Sequence, residues 1–137
     1  MDIGYDFVCI SHNQKYREEH EKYNESNYKF IAPSKMFVES EIEVAYDYGI
    51  CIRPDVFETH SNYAVIPNRL TLGYAIAFCL QGKAKNISLV GFEGFSAKDP
   101  RQKEMQNLIF TVNSKYRNLR SLTPTSYSIP QISIYGF

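Results

Sequence analysis

Hydrophobic and polar positions along this chain fall into short apolar runs separated by segments of helical period. From Tyr5 the run YDFVCIS is aromatic and β-branched in character, as a strand is, and it ends at Ser11. Ser11 stands three residues before Gln14, the spacing of a capping box, and the polar segment that follows places Tyr16, His20 and Tyr23 on one helical stripe. The run KFIAP predicts a second strand halted by Pro33, with Ser34 and Lys35 in a loop. Ile42, Val44, Tyr46 and Tyr48 then alternate with Glu43, Ala45 and Asp47 as in a half-exposed strand, which Ile50 to Ile52 continue past Gly49. Arg53, Pro54 and Asp55 mark a turn, and the run from Tyr63 to Ile66 is a further short strand.

The second half has clearer punctuation. Asn68 is the expected N-cap of a helix over about residues 69 to 81, in which Leu72, Ala75, Ile76, Cys79 and Leu80 keep the helical spacing and Gly82 supplies the stop. The segment NISLVGF then reads as a strand buried on both faces, as in the middle of a parallel sheet. Asp99 and Pro100 form a cap and first-turn pair, with Gln102 as the capping-box partner. They open a helix whose core positions are Met105, Leu108, Ile109, Val112 and Tyr116. Residues 119 to 122 predict a last strand, expected to lie parallel in one sheet with those near residues 6 to 10 and 86 to 91. The alternation of strands and helices predicts an α/β domain: a three-layer, open, mostly parallel sheet with helices on both faces, Rossmann-like. The Gly-rich turn that usually opens a nucleotide-binding sheet is missing, which reads as a chain starting one β/α unit late.

Length bounds these expectations. The 137 residues are enough for one domain but too few for an eightfold β/α barrel, which needs about 250. With 44% apolar residues and 13 Gly plus Pro, the composition is that of a folded chain. No apolar run approaches the roughly 18 residues of a membrane span, and the start lacks a signal pattern, so the expected place is the cytoplasm, away from membranes. Cys9, Cys51 and Cys79 are odd in number, far apart and set among apolar neighbours; they read as reduced, buried small hydrophobes rather than zinc ligands or disulfides. Charge changes the picture further. Fifteen basic groups balance fifteen acidic ones, but residues 1–60 hold 6 basic against 12 acidic, and residues 61–137 hold 9 basic against 3 acidic. Scattered cations on a neutral chain disfavour nucleic acid. The basic half can face an anion, or complement the acidic half across an internal or subunit contact.

Ligands of open α/β sheets sit beyond the carboxyl ends of the strands, against helix N-termini. That rule selects Ser11 and Asn13 after the first strand, Lys35 after the second, Asn68, Arg69 and Thr71 at the start of a helix, and Gly91, Glu93 and Lys98 after the GFEG strand. Arg69 opposes the helix dipole, which a bound phosphate would compensate. Glu93, between two glycines, suits sugar hydroxyls or a solvated turn equally. His12 is a general-base candidate or a polar first-turn residue. No P-loop, GxGxxG, HExxH or nucleophile elbow is present, and no cofactor or metal is expected.

The DFVCIS strand, the unit NRLTLGYAIAFCLQGKAKNISLVGFEGFS and the closing SLTPTSY resemble the C-terminal domain of HMG-CoA-lyase-like aldolase proteins from bacterial surface-sugar clusters. The central unit is also similar to bacterial sialyltransferases that use a cytidine nucleotide sugar. The resemblance covers about residues 5 to 127. It implies a Rossmann-like C-terminal part of a longer protein, with Asn68, Thr71, Gly91 and Glu93 facing a nucleotide, sugar or phosphate. The lyase chemistry then belongs to a preceding aldolase barrel, and this chain is not catalytic alone. All three His residues lie at or before His60, so the late catalytic His of a transferase is missing. Two other readings stay open: a glycosyltransferase-like enzyme using a nucleotide sugar, and a structural assembly domain, homo-oligomeric through its eleven tyrosines.

Overall fold

The computed structural model describes residues 7–11, 29–37 and 44–133. Those residues form a mixed α/β structure with eight short strands and two α-helices. The expected first helix, with its Gln14 cap partner, lies outside the described residues, as do Ile42, His12 and Asn13.

Three strands, β1 (Val8–Cys9), β2 (Phe30–Ala32) and β3 (Val44–Asp47), pair in parallel in that order. Two elements bound β2 on its far side: Pro33, which cannot donate to the ladder, and a 3-10 turn, Ser34–Phe37, where the sequence suggests a loop. The second sheet has the order β4 (Gly49–Ile52), β6 (Tyr63–Ile66), β5 (Glu58–Thr59), with β4 parallel and β5 antiparallel to β6. Only Tyr48 separates β3 from β4. Its amide donates to Ala32 O at 3.2 Å, whereas the next amide, Gly49, donates to Asn62 O at 2.9 Å. The chain thus exchanges one neighbour for another within two residues. This switch explains why the expected alternation fails: Tyr46 is 50% exposed and Tyr48, two positions on, is 1% exposed.

Helix α1 (Thr71–Gln81) begins two residues later than the sequence suggests. Asn68 is not its N-cap; Leu70 holds that position. The Asn68 Oδ1 accepts from Leu70 N at 3.3 Å, and its Nδ2 donates to Glu104 O at 2.8 Å on the other helix. At the far end Gly82 is the C-cap, but Lys83 takes the left-handed conformation, with Lys83 N donating to Leu80 O and Ala84 N to Cys79 O, the paired bonds of a Schellman ending.

Strands β7 (Ile87–Leu89) and β8 (Leu119–Ser121) form a parallel pair linked through α2 (Pro100–Lys115). The tail lies along β8, where Ser121 N donates to Pro130 O and Ile132 N to Ser121 O, both at 2.8 Å. Among the described residues, β7 and β8 are not hydrogen-bonded into the sheet of β1, so the single parallel sheet expected for residues 6–10, 86–91 and 119–122 is divided into separate ladders. Nor is β7 buried on both faces: Ser88 is exposed and Val90 is 61% exposed. The strands covered on both faces are β2 and, over residues 64 to 66, β6. In β2, Ile31 enters the main core, while Phe30 and Ala32 point the other way into a small cluster with Ile10, Val8 and Val44.

The main core joins all three ladders to both helices. Ile31, Tyr48, Ile66, Tyr74, Ile76, Leu108 and Val112 are its most deeply buried large side chains. Four of the five expected core positions of α2, Met105, Leu108, Ile109 and Val112, are buried, and Tyr116 is its C-cap. In α1 the buried positions are Gly73, Tyr74, Ile76 and Ala77, whereas Cys79 is exposed, against expectation. Cys9 and Cys51 are half-buried, and all three thiols are free. The packed face includes Gly73, where the missing Cβ lets α1 approach Leu108 and Ile66 closely.

Candidate functional site

The carboxyl end of β1 meets the first turn of α1. Ser11 follows β1 and is 5% exposed, and its Oγ lies 2.6 Å from Thr71 Oγ1. Two of the expected ligand-facing residues, sixty positions apart, are therefore in direct contact. The chain reaches α1 from β6 through Pro67, Asn68 and Arg69; Asn68 is half-buried and Arg69 exposed. The N-cap Leu70 makes no side-chain capping bond; with Leu70 N taken by Asn68 Oδ1 and Gly73 N donating to Leu70 O at 3.1 Å, the amides of Thr71 and Leu72 are left to a ligand or to water.

A second polar group gathers beyond β7 and β8. Gly91, with φ of 83°, donates its amide to Thr123 Oγ1 at 3.0 Å, and Thr125 Oγ1 donates to Phe92 O at 2.7 Å. Glu93 binds the tail through its backbone, accepting from Ser126 N at 2.8 Å, while its carboxylate is on the exposed surface. Gln102 fixes this loop. Its Oε1 accepts from Phe95 N at 2.7 Å and from Tyr127 OH at 3.1 Å, and its Nε2 donates to Ser126 Oγ at 3.1 Å. It does not complete a capping box: the Asp99 amide donates to Ser96 O, because the glutamine side chain is committed to the loop and the tail. Asp99 itself is the N-cap, accepting from Arg101 N at 2.9 Å. Lys98 is exposed on the same connection.

Lys35 is exposed in the 3-10 turn after β2, near Asp47. Asp47 Oδ1 accepts from Ser34 N at 2.8 Å, and this hydrogen bond, with Lys35 adding to it, holds the carboxyl below its ordinary range. The polar residues thus form three local groups: Ser11, Thr71, Asn68 and Arg69 around the start of α1; Gly91, Glu93 and Lys98 on the loop after β7; Lys35 on the turn after β2. Sequence reasoning misses Gln102 as the organiser of the second group and assigns it to the helix cap. Its three partners are local in space but up to 25 residues away in the chain.

Among the described residues no group of three or more His, Cys, Asp or Glu side chains is placed to hold a metal ion, and no helix is long and apolar enough to cross a membrane. Comparison of the chain with protein-family models, with curated proteins and with solved structures gives no match.

Proposed function

We propose that this chain is a ligand-binding accessory module, Rossmann-like in its layering, that holds a phosphate-bearing nucleotide or sugar at the start of α1 and serves an aldolase-like partner domain in bacterial surface-polysaccharide synthesis. The observation that carries the binding reading is the contact of Ser11 with Thr71 at the uncapped first turn of α1. Two hydroxyls and a set of backbone donors there suit the oxygens of an anion, and Arg69 brings a cation to the same turn. The coverage of β2 on both faces supports the three-layer reading. The aldolase context rests on sequence resemblance, and the cytoplasm on the reduced cysteines. Chemistry is assigned to the partner, because among the described residues none of the three polar groups provides a nucleophile held by a base.

Calorimetric titration with cytidine nucleotides and with sugar phosphates tests the reading. Binding is expected, and Arg69→Ala should weaken it by about 1.5 to 3 kcal/mol, the range of a hydrogen bond to a charged group, with a smaller loss at high salt. Equal binding by the parent and Arg69→Ala, or no heat with any of these compounds, would leave the structural assembly reading in its place.

A further inference from the structure

A groove of about 380 Å³ runs along the face of α2 that borders its core positions, with the Ser126–Tyr127–Ser128 segment as its other wall. It shares Ser126 and Tyr127 with the group around Gln102 but opens away from Gly91, Glu93 and Lys98, since its cationic end, Arg117, precedes β8 and so lies at the amino end of that strand. Its floor is apolar, formed by Ile109 and Tyr127, and its rim carries Gln106, Asn113, Arg117 and the ring of Phe110, which is 73% exposed.

Three features of this lining restrict what it fits. Gln106 and Asn113 each offer both a donor and an acceptor, which matches hydroxyls, themselves donors and acceptors. Among the described residues neither amide, nor the Arg117 guanidinium, enters a hydrogen bond or ion pair. The lining holds one cation and no carboxylate, the balance for a ligand with one negative charge rather than a polyphosphate or a cation. The exposed face of Phe110 is the negative side of its quadrupole and attracts the weakly positive C–H face of a pyranose ring. Arg117 adds a backbone observation. It adopts φ of 50° just past the end of α2, where glycine would be the unstrained residue, yet a long cationic side chain stands there beside the groove.

We propose that this groove binds an anionic saccharide of one or two rings, with its carboxylate on Arg117, its hydroxyls on Gln106 and Asn113, and one ring face on Phe110. The volume is at the lower end of small-ligand sites, which agrees with that size.

The test is calorimetric titration of the full chain with glucuronate, an aldobiouronate (one uronate linked to one neutral sugar), glucose and inorganic phosphate. Glucuronate or the aldobiouronate should bind, with glucose about tenfold weaker or more, the loss expected when a charge-assisted hydrogen bond is removed. Arg117→Gly should abolish the preference for the acid over glucose, while its melting temperature stays equal to or above the parent's because the left-handed position is relieved. Phe110→Ser, a change at an exposed position, should weaken every sugar and leave the fold intact. The proposal is overturned by the absence of uronate binding up to about 10 mM, by phosphate binding as tightly as glucuronate and lost in Arg117→Gly, or by uronate binding that neither substitution changes. Neither variant touches Ser11, Arg69 or Thr71, so failure here and failure of the site at α1 are read separately.

Discussion

The hydroxyl of Tyr74 donates to the backbone carbonyl of Tyr48 at 2.7 Å, with both side chains essentially removed from water. This one bond ties α1 to the residue at which the chain passes from the first sheet to the second. Tyr48 is engaged on every side: its amide donates to Ala32 O, and its own hydroxyl donates to His60 O at 2.9 Å. Its ring lies 5.6 Å from that of Tyr74 and 5.5 Å from that of Phe78.

Replacing Tyr74 with Phe keeps the ring packing and leaves the buried carbonyl of Tyr48 without its donor. A loss of about 1 to 3 kcal/mol is expected, the cost of an unsatisfied buried acceptor, read from the urea midpoint at constant slope. An unchanged midpoint would mean that water reaches this carbonyl.

Alkaline pH should destabilise the fold through Cys9. Burial pushes its thiol from 9.0 up to about 11, with nearby Cys79 adding to the effect. A raised folded-state pKa gives stability that is complete below the unfolded value and is lost as pH rises through the folded one, so the loss should develop between about pH 9 and 11. Burial raises Tyr74 and Tyr48 in the same sense. Stability of Cys9→Ala and the parent, followed across this range, should converge with rising pH. Parallel curves would remove Cys9 from the account.

Leu108 is fully buried, and Leu108→Ala should cost about 2 to 5 kcal/mol through the methyl groups removed and the cavity left. Gly73 supplies a second arm, since a Cβ there would come 2.9 Å from Leu108 Cδ1. Gly73→Ala should be tolerated better in the Leu108→Ala background than in the parent, because the added methyl enters the space vacated by leucine. A double-mutant cycle on thermal or urea unfolding measures this coupling, and strict additivity would contradict the packing described.

The two glycines of the loop after β7 should differ on substitution. Gly91 has φ of 83° and open space where a Cβ would stand, so Gly91→Ala meets backbone strain of about 1 to 2 kcal/mol. Gly94 has φ of 128°, and a Cβ there would collide with Ser126 Oγ, an acceptor of the Gln102 side chain. Gly94→Ala should therefore be the more damaging. Gln102→Ala should lower stability by about 1 to 2 kcal/mol, because the Phe95 amide and the Tyr127 hydroxyl are then without their acceptor. Equal melting temperatures for the two glycine variants would dissociate the loop from the tail.

The elements legible in the sequence are those whose determinants are local. In α2, Asp99, Pro100 and the spacing of Met105, Leu108, Ile109 and Val112 specify the start and the buried face within sixteen residues. The turn at Asp55, with φ of 61°, and strand β6 are also marked by their own residues. What escapes depends on distant partners. Asn68 has the chemistry of a cap but serves a turn and Glu104, and β5, only two residues long, exists because β6 offers it an edge. The apolar run of β7 suggests a doubly covered strand, whereas neighbours, which no run of residues encodes, give that place to β2 and β6. The same limit applies to the site. Rules about strand ends name Ser11 and Thr71 separately, but their contact spans sixty positions. No spacing could show that Gln102 would be drawn from the helix cap to the loop.

The change of neighbours at Tyr48 makes two adjacent amides into separate reporters of opening. The Tyr48 amide is protected by Ala32 in the first sheet, and the Gly49 amide by Asn62 beside the second. Hydrogen exchange at these consecutive positions therefore reads two cooperative units. If the sheets open independently, the two rates diverge under native conditions, with each amide following its own sheet. If the Tyr74 hydroxyl locks them together, the rates coincide in the parent and separate in Tyr74→Phe, so that a single oxygen sets the boundary of a unit of unfolding.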